Sequence, residues 1–516
     1  MHKTDSMMTN KYKIFSFFLV AIAIGFVCCK GTKTTEKKKP NILIIYVDDL
    51  GYGDLSCYGA TAVQTPNVDA LAAKGCKFTD AHCSASTCTP SRFALLTGSY
   101  AFRNKAAILP GDAPLIISPA KATLASMLQK AGYATGVIGK WHLGLGDGKP
   151  DWNADIKPGP LEIGFDYSFL IPATPDRVPT VYVENHRVVN ADAGDPISID
   201  YAKRVGEDPI GLEHPEMLKM QADSQHSGTI VNGVSRIGFM KGGHQAYWKD
   251  EDFATVLNDK VTAFITAHKD KPFFLYYSLP SIHVPRAPNA KFVGATTMGP
   301  RGDDIVQMDW MTGEAMKTLQ KLGLENNTLV IFSSDNGPVL DDGYADQAEQ
   351  LLGQHHPAGM YKGGKYSSYE GGTRVPTITY WPGEIQQGEN NALISQVDLF
   401  ASLAKLVGEK TNAANAAPDS KDLLQVLLGK SKEGRETMLE ESFAMSIRSG
   451  DWKYIDPVKE KTPDWLKNKK VPTGLQNTAQ LFNLEDDPGE KNNVIERYPD
   501  IAKKMAEELR KQMMNK

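Results

Sequence analysis

Asn41-Ile-Leu-Ile-Ile-Tyr-Val47, followed at once by Asp48-Asp49, is the stretch that decides how this chain is built. Its apolar side chains fall on both faces of an extended strand, which suits a strand at the centre of a parallel sheet covered on both sides. Three other runs have the same character. Residues 133–138 end in Gly139-Lys140-Trp141-His142, 273–279 are followed by Ile282-His283, and 328–332 by Ser333-Ser334-Asp335-Asn336. Helical patterns over 124–131, 256–268 and 307–324 separate them. Strands alternating with helices predict an α/β fold, a mixed but mostly parallel central sheet with helices on both faces. Ligands of open α/β sheets bind beyond the carboxyl ends of the strands. Asp48, Asp49, Lys140, His142, His283, Asp335 and Asn336 are therefore expected to converge on one rim of the sheet.

The residue types at that rim point to a metal. Asp48-Asp49 and Asp335-Asn336 offer only oxygen ligands, which favour hard cations such as Ca²⁺ or Mg²⁺. Either pair alone is also ordinary turn chemistry; two pairs, each closing a hydrophobic strand, favour the metal. Between the first two strands lies Cys88-Thr89-Pro90-Ser91-Arg92. Pro90 suits the first turn of a helix, and 91–96 read as helix ended near Gly98. Cys88 then sits at a helix N-terminus, where backbone N–H groups favour negative charge. Arg92 follows four residues later on the same face.

Cys-x-Pro-x-Arg resembles the signature of the type I, formylglycine-dependent sulfatases. Gly139-Lys-Trp-His-Leu-Gly144 and Gly363-Gly-Lys-Tyr-Ser-Ser-Tyr-Glu-Gly-Gly-Thr-Arg-Val-Pro376 are similar to two more of that family's stretches, and four separated blocks match in order between residues 41 and 376. The resemblance implies an alkaline-phosphatase-like fold and hydrolysis of sulfate esters. It implies that Cys88 becomes formylglycine (3-oxoalanine) through a formylglycine-generating or anaerobic sulfatase-maturating enzyme. It also implies Ca²⁺, with Mg²⁺ as the alternative, on Asp48, Asp49, Asp335, Asn336 and the modified Cys88. Arg92 would hold the nucleophile. Lys140, His283 and Lys365 would bind the sulfate oxygens, His283 or Lys365 would protonate the leaving alcohol, and His142 would act as the base that releases sulfate. One departure is Ile282, where the family often has a proline before the histidine.

The chain looks most like secreted bacterial arylsulfatases and N-acetylgalactosamine-6-sulfatase-like carbohydrate sulfatases. The expected substrate is a sulfated glycan carrying 6-O-sulfated galactose or N-acetylgalactosamine. The segment 164–179, with 181–186 after it, is read as irregular and proline-rich, the kind of loop that carries specificity. In it Asp176 and Arg177 are candidates to read sugar hydroxyls, or else form a salt-bridged loop; His226, His244, His355 and His356 are weaker candidates. Two other readings stay open: a phosphonate monoester or phosphodiester hydrolase of the same superfamily, and a non-catalytic glycan-binding lipoprotein.

The ends of the chain frame this domain. Lys11 and Lys13 precede an apolar run, 14–27, too short to span a bilayer comfortably, and Cys28-Cys29 follow. This predicts a secretory signal over 1–29 and an exported protein. It would be periplasmic, or lipid-anchored at the envelope if Cys28 or Cys29 is acylated. The residues before the pair match a lipobox poorly, so a plain cleaved signal and an uncleaved anchor remain alternatives. Residues 30–39 read as a lysine-rich linker, 40–430 as the catalytic domain and 431–516 as a C-terminal subdomain. There, helix 397–407 leads to a hairpin over 444–455, a strand at 481–484 and a helix over 498–514. This resembles the small α+β subdomain of sulfatases with its short antiparallel sheet. A net charge of -4 gives no reason to expect nucleic acid. Cys57, Cys76, Cys83 and Cys88 do not form a disulfide scaffold; with Cys88 modified, at most one pair could form.

Overall fold

The computed structural model describes residues 38–409, 416–458 and 461–514. The expected signal over 1–29, with Cys28 and Cys29, lies outside the described residues, as do residues 30–37 of the linker. Pro40–Lys516 form one compact unit.

Its main sheet has ten strands. In chain order they are β1 (Asn41–Val47), β2 (Cys76–Phe78), β3 (Ala134–Lys140), β4 (Tyr167–Ile171), β5 (Val183–Glu184), β6 (Arg187–Val188), β7 (Phe273–Ser278), β8 (Thr328–Ser334), β9 (Thr377–Tyr380) and β10 (Gly388–Asn390). Their order in space is β10-β2-β9-β8-β1-β7-β3-β4-β5-β6. The five strands from β8 to β4 are parallel. β9 runs antiparallel between β8 and β2, so the sheet is mixed but mostly parallel. Every residue of β1, β3, β7 and β8 is buried.

The alternation along β1 builds two cores. Ile42, Ile44 and Tyr46 pack on one face with Phe93, Leu96, Leu124 and Leu403. These come from the helices α2 (Cys88–Thr97), α3 (Leu124–Lys130) and α6 (Leu399–Val407). Leu43, Ile45 and Val47 pack on the other face with Leu71, Leu257 and Ile305, from α1 (Pro66–Lys74), α4 (Phe253–Ala267) and α5 (Gly299–Lys321). Each such side chain, fully buried, contributes about 1.5–3 kcal/mol.

Two sequence expectations are corrected. Residues 164–179 are not all irregular: Tyr167-Ser-Phe-Leu-Ile171 adds a parallel strand to β3. Pro172, Pro175 and Pro179 all lie beyond it, so none removes a ladder donor. α5 begins eight residues earlier than its apolar periodicity, at Gly299 rather than 307. Its first turns are polar but buried, because Arg301 meets Asp54 at 2.7 and 2.8 Å.

Gly139 fixes the register next to the rim. It sits at φ 109 in β3, and a Cβ there would lie 1.8 Å from the Ser278 carbonyl oxygen of β7. We expect Gly139→Ala to cost at least about 2 kcal/mol, from left-handed backbone strain plus that contact. Activity should fall with it, because Lys140 is the next residue. Thermal denaturation beside a turnover assay checks this; an unchanged melting temperature refutes it.

Beyond residue 430 a second sheet runs in chain order, β11 (Thr437–Glu441), β12 (Met445–Ser449), β13 (Trp452–Ile455) and β14 (Gln480–Asn483), all antiparallel. α7 (Pro499–Met514) covers it through Met505 and Leu509, which pack with Ile447, Tyr454 and Leu481. This cluster includes Ala94 of α2 and Tyr100, so the small sheet is built onto the helix that carries Cys88.

Candidate active site

The parallel strands bring the expected residues together. Asp48 and Asp49 follow β1, Lys140 ends β3 with His142 two residues on, His283 follows β7, and Asp335 and Asn336 follow β8. Cys88 opens α2, whose ten residues are all buried. Gly98 closes that helix at φ 61, its N–H donating to the Ala94 carbonyl at 2.9 Å. Asp49 and His142 take left-handed backbone, at φ 59 and 54, a conformation that costs a non-glycine residue about 1–3 kcal/mol and concentrates at functional sites.

The charges interlock. Arg92 is wholly buried. Its Nε and Nη2 donate to Asp335 Oδ2 at 3.0 and 2.7 Å, and Nη2 lies 3.7 Å from Asp48 Oδ1. Its Nη1 donates to Ser278 Oγ and, at 3.3 Å, to the Tyr276 hydroxyl. Lys140 Nζ donates to Asp48 Oδ2 at 2.5 Å and lies 3.9 Å from Asp335 Oδ2. Lys365 Nζ donates to Asp49 Oδ2 at 2.9 Å and to Asp342 Oδ2 at 3.1 Å. Asn336 Nδ2 donates to Asp49 Oδ1 at 2.7 Å. His283 Nδ1 is 2.6 Å from the Val284 carbonyl, and its Nε2 lies 3.9 Å from Asp49 Oδ2. His142 Nε2 is 2.9 Å from the Leu109 carbonyl, and its buried Nδ1 has no partner.

Burial sets the protonation states. It pushes the Cys88 thiol up to about 12, against the pull of Lys140 and Lys365, so an unmodified Cys88 is a thiol and a poor nucleophile at neutral pH. Burial, then Lys140, holds His142 well below its usual value. Burial, then Lys365, lowers His283 to about 4. Both imidazoles are neutral at pH 7. Burial and the neighbouring Asp335 raise Asp48. Burial also works against Asp335, but Arg92 and Lys140 hold it at about 2.

A cation fits this arrangement. Asp48 Oδ1 and Asn336 Oδ1 are buried without any hydrogen-bond partner, a costly state for an oxygen with nothing to accept. Ligand atoms of Asp48, Cys88 and Asp335 lie within 4.8 Å of one another. Apart from the Cys88 sulfur the donors are all oxygen, as hard cations prefer.

Cys88, His142, His283 and Lys365 line a cleft of about 230 Å³. Arg92 and Lys140 do not line it; they face the carboxylates. Asp176 and Arg177 line the cleft and also pair with each other, Arg177 Nη1 to Asp176 Oδ1, at 2.9 Å. His226 joins them, Nδ1 at 2.7 Å from Asp223 Oδ1 and Nε2 at 3.6 Å from Asp176 Oδ2. The other histidines lie apart. His244 is exposed between Asp195 and Asp208, His355 pairs with Asp54 at 2.8 Å, and His356 lines a separate surface cleft.

Sequence reading missed Asp342, Tyr366, Trp465 and Lys469, all of which line the cleft. Asp342 stands in an Asp-Asp-Gly turn and Lys469 in a run of lysines, which alone read as solvated surface. Tyr366 directly follows Lys365 in a recognised stretch, and that adjacency was the one available signal.

The geometry agrees with what the chain is similar to. The sulfatase family model matches residues 40–409. The chain is 49% identical over 478 residues to the N-acetylgalactosamine-6-O-sulfatase of Bacteroides thetaiotaomicron, covering 92% of this chain and 93% of that one. It is 32% identical over 484 residues to arylsulfatase A of Bos taurus, covering 90% and 85%. A solved Bacteroides thetaiotaomicron structure, titled for the metabolism of multiple glycosaminoglycans, matches with a TM-score of 0.90 at 49% identity, covering 92% of this chain and 99% of that one. The phosphonate monoester hydrolase of Agrobacterium radiobacter, 19% identical with a TM-score of 0.56 over 92% of this chain and 96% of that one, shares the fold alone. The chain belongs to the sulfatase family, and it is a hydrolase of sulfate esters.

Proposed function

We propose that this exported enzyme removes the 6-O-sulfate of N-acetylgalactosamine, or of galactose, in glycans, with residue 88 as formylglycine and Ca²⁺ on Asp48, Asp49, Asp335 and Asn336. The observation that carries the chemistry is the pair of orphaned buried oxygens, one on Asp48, beside Cys88, and one on Asn336. The sugar reading is supported by the 49% identity to a relative named for that substrate. When both groups are present, they supply a hydroxyl nucleophile that is active at neutral pH.

The chain's own residues then divide the work. Arg92 keeps Asp335 ionised and fixes it against β7. Lys140 donates to Asp48 and works against the burial and the Asp335 charge that raise its pKa. Lys365 stays protonated: burial works against its charge, but the Asp49 carboxylate holds its pKa well up, so it binds sulfate oxygens as a cation and has a proton to give. With His283 Nδ1–H on the Val284 carbonyl, neutral His283 presents Nε2 to the cleft as an acceptor; Lys365 is therefore the better donor to the leaving alcohol. His142, donating through Nε2 to Leu109, keeps Nδ1 unpartnered and neutral, able to accept a proton. Asp176 and Arg177 read the sugar hydroxyls, each leaving an unpaired polar partner when the wrong epimer enters.

The test assays enzyme whose residue 88 is shown by mass to be the aldehyde. The substrates are 6-sulfated N-acetylgalactosamine, 6-sulfated galactose, 4-sulfated N-acetylgalactosamine and 6-sulfated N-acetylglucosamine. Turnover of the first two, with the others at least about tenfold slower, is expected, because a site built to bond a hydroxyl rejects its misplacement strongly. Equal rates on the 4-sulfate or the gluco epimer refute the sugar reading.

A further inference from the structure

We propose that Asp342 is a positioning residue for Lys365, and that Lys469, from the C-terminal part of the chain, fixes the Asp342 carboxylate in turn. The inference rests on the reading of Lys365 as a sulfate-binding residue. Asp342, Lys365 and Lys469 are all buried, at 5, 2 and 8% exposure. Asp342 Oδ2 accepts from Lys365 Nζ at 3.1 Å and from the Tyr366 hydroxyl at 3.0 Å, and Lys469 Nζ lies 2.8 Å from its Oδ1. The carboxylate is thus shared by two ammonium groups and a phenol, all at the cleft.

A lysine ammonium has three N–H donors on a flexible stem. Lys365 gives one to Asp49 and one to Asp342, which leaves one for a ligand. These two carboxylates differ in kind. Asp49 also accepts from Asn336 Nδ2, next to Asp335, whereas Asp342 is held by Lys469 and the Tyr366 hydroxyl. Asp342 is therefore the anchor of Lys365 that is fixed from the C-terminal part of the chain. Its other oxygen is occupied by Lys469, so its orientation is set from both sides. Trp465 packs edge-on against the Tyr366 ring at 5.2 Å, which braces the same corner from the segment that carries Lys469. In this arrangement the sequence beyond residue 430 completes the site: one of its lysines decides where a cleft lysine points.

The two lysines also explain why Asp342 cannot be tested alone. Removing its charge leaves two buried cations facing each other, which by itself destabilises. The informative variant is Asp342→Asn with Lys469→Met, which removes one charge of each sign. We expect this double variant to melt near the parent temperature yet to lose about 10- to 100-fold in kcat with a much smaller change in KM, the scale of a displaced catalytic group. Inorganic sulfate should also inhibit it more weakly than the parent. Lys469→Met alone should lower kcat by about threefold, since Asp342 then keeps one of its two cations. Asp342→Glu, which keeps the charge, should recover part of the loss. A double variant with parental kcat and parental sulfate inhibition overturns the proposal, as does an Asp342→Glu variant no better than the double one. Lys365→Ala measured alongside separates the two levels. If it is inactive while the double variant is parental, only the positioning inference falls; if it turns over normally, the reading of Lys365 falls with it.

Discussion

Arg92→Ala loses turnover and about 3–5 kcal/mol of stability together. The magnitude follows from breaking a buried ion pair by removing one member. Arg92 and Asp335 are both fully buried, with Nε and Nη2 on Asp335 Oδ2 and Nη1 on Ser278 and Tyr276. Without the guanidinium, Asp335 and Asp48 face each other with Lys140 alone to offset them. The activity loss has a separate cause: the carboxylates that should hold the cation lose the group that fixes them against β7. Arg92→Lys should rescue little, because a point charge cannot reach Asp335, Ser278 and Tyr276 at once. The measurement is chemical denaturation beside turnover on one substrate. A variant that unfolds at the parental denaturant concentration would show that the pair contributes nothing, and would contradict this account of the rim.

Removing divalent cations should be nearly as severe. Burial and Asp335 raise the Asp48 pKa, and Asp48 Oδ1 and Asn336 Oδ1 have no hydrogen-bond partner. A ligand that binds only the folded state stabilises it by RT ln(1 + [L]/Kd), about 4 kcal/mol at a thousandfold excess over Kd. Dialysis against a chelator should therefore abolish turnover and lower the melting temperature, and added Ca²⁺ should restore both. Asp335→Asn should lose most of this Ca²⁺-dependent shift. An identical melting curve with chelator and with Ca²⁺ would count against a cation on these residues, whatever the activity shows.

The legible part of this molecule was the part governed by long apolar runs. β1, β3, β7 and β8 are each six or seven residues long and wholly buried, so their sequences carry no competing signal, and the reactive residues just beyond them were read with them. β2 and β9, of three and four residues, are too short to show a period. β4 was hidden by the prolines that follow it. α5 was shortened because Arg301, Asp303 and Asp304 are buried in polar partnerships that sequence cannot supply. The same limit applied to the cleft. Residues that act from strand ends could be placed by the logic of the sheet, whereas Asp342 and Lys469 reach the cleft from loops and Trp465 from a short 3-10 helix, and only the folded chain brings them there.

The main sheet is also notable for how it stops. Its outermost strands are β10, of three residues, and β6, of two. At one rim Glu389 pairs with Lys77 at 2.6 Å. Unpaired backbone along a long, flat, apolar rim recruits strands from other molecules, whereas very short or charged rims do not. Ten strands of largely buried β structure therefore present almost no template for intermolecular strand pairing. The fold resists fibrous self-association through the brevity of its two borders.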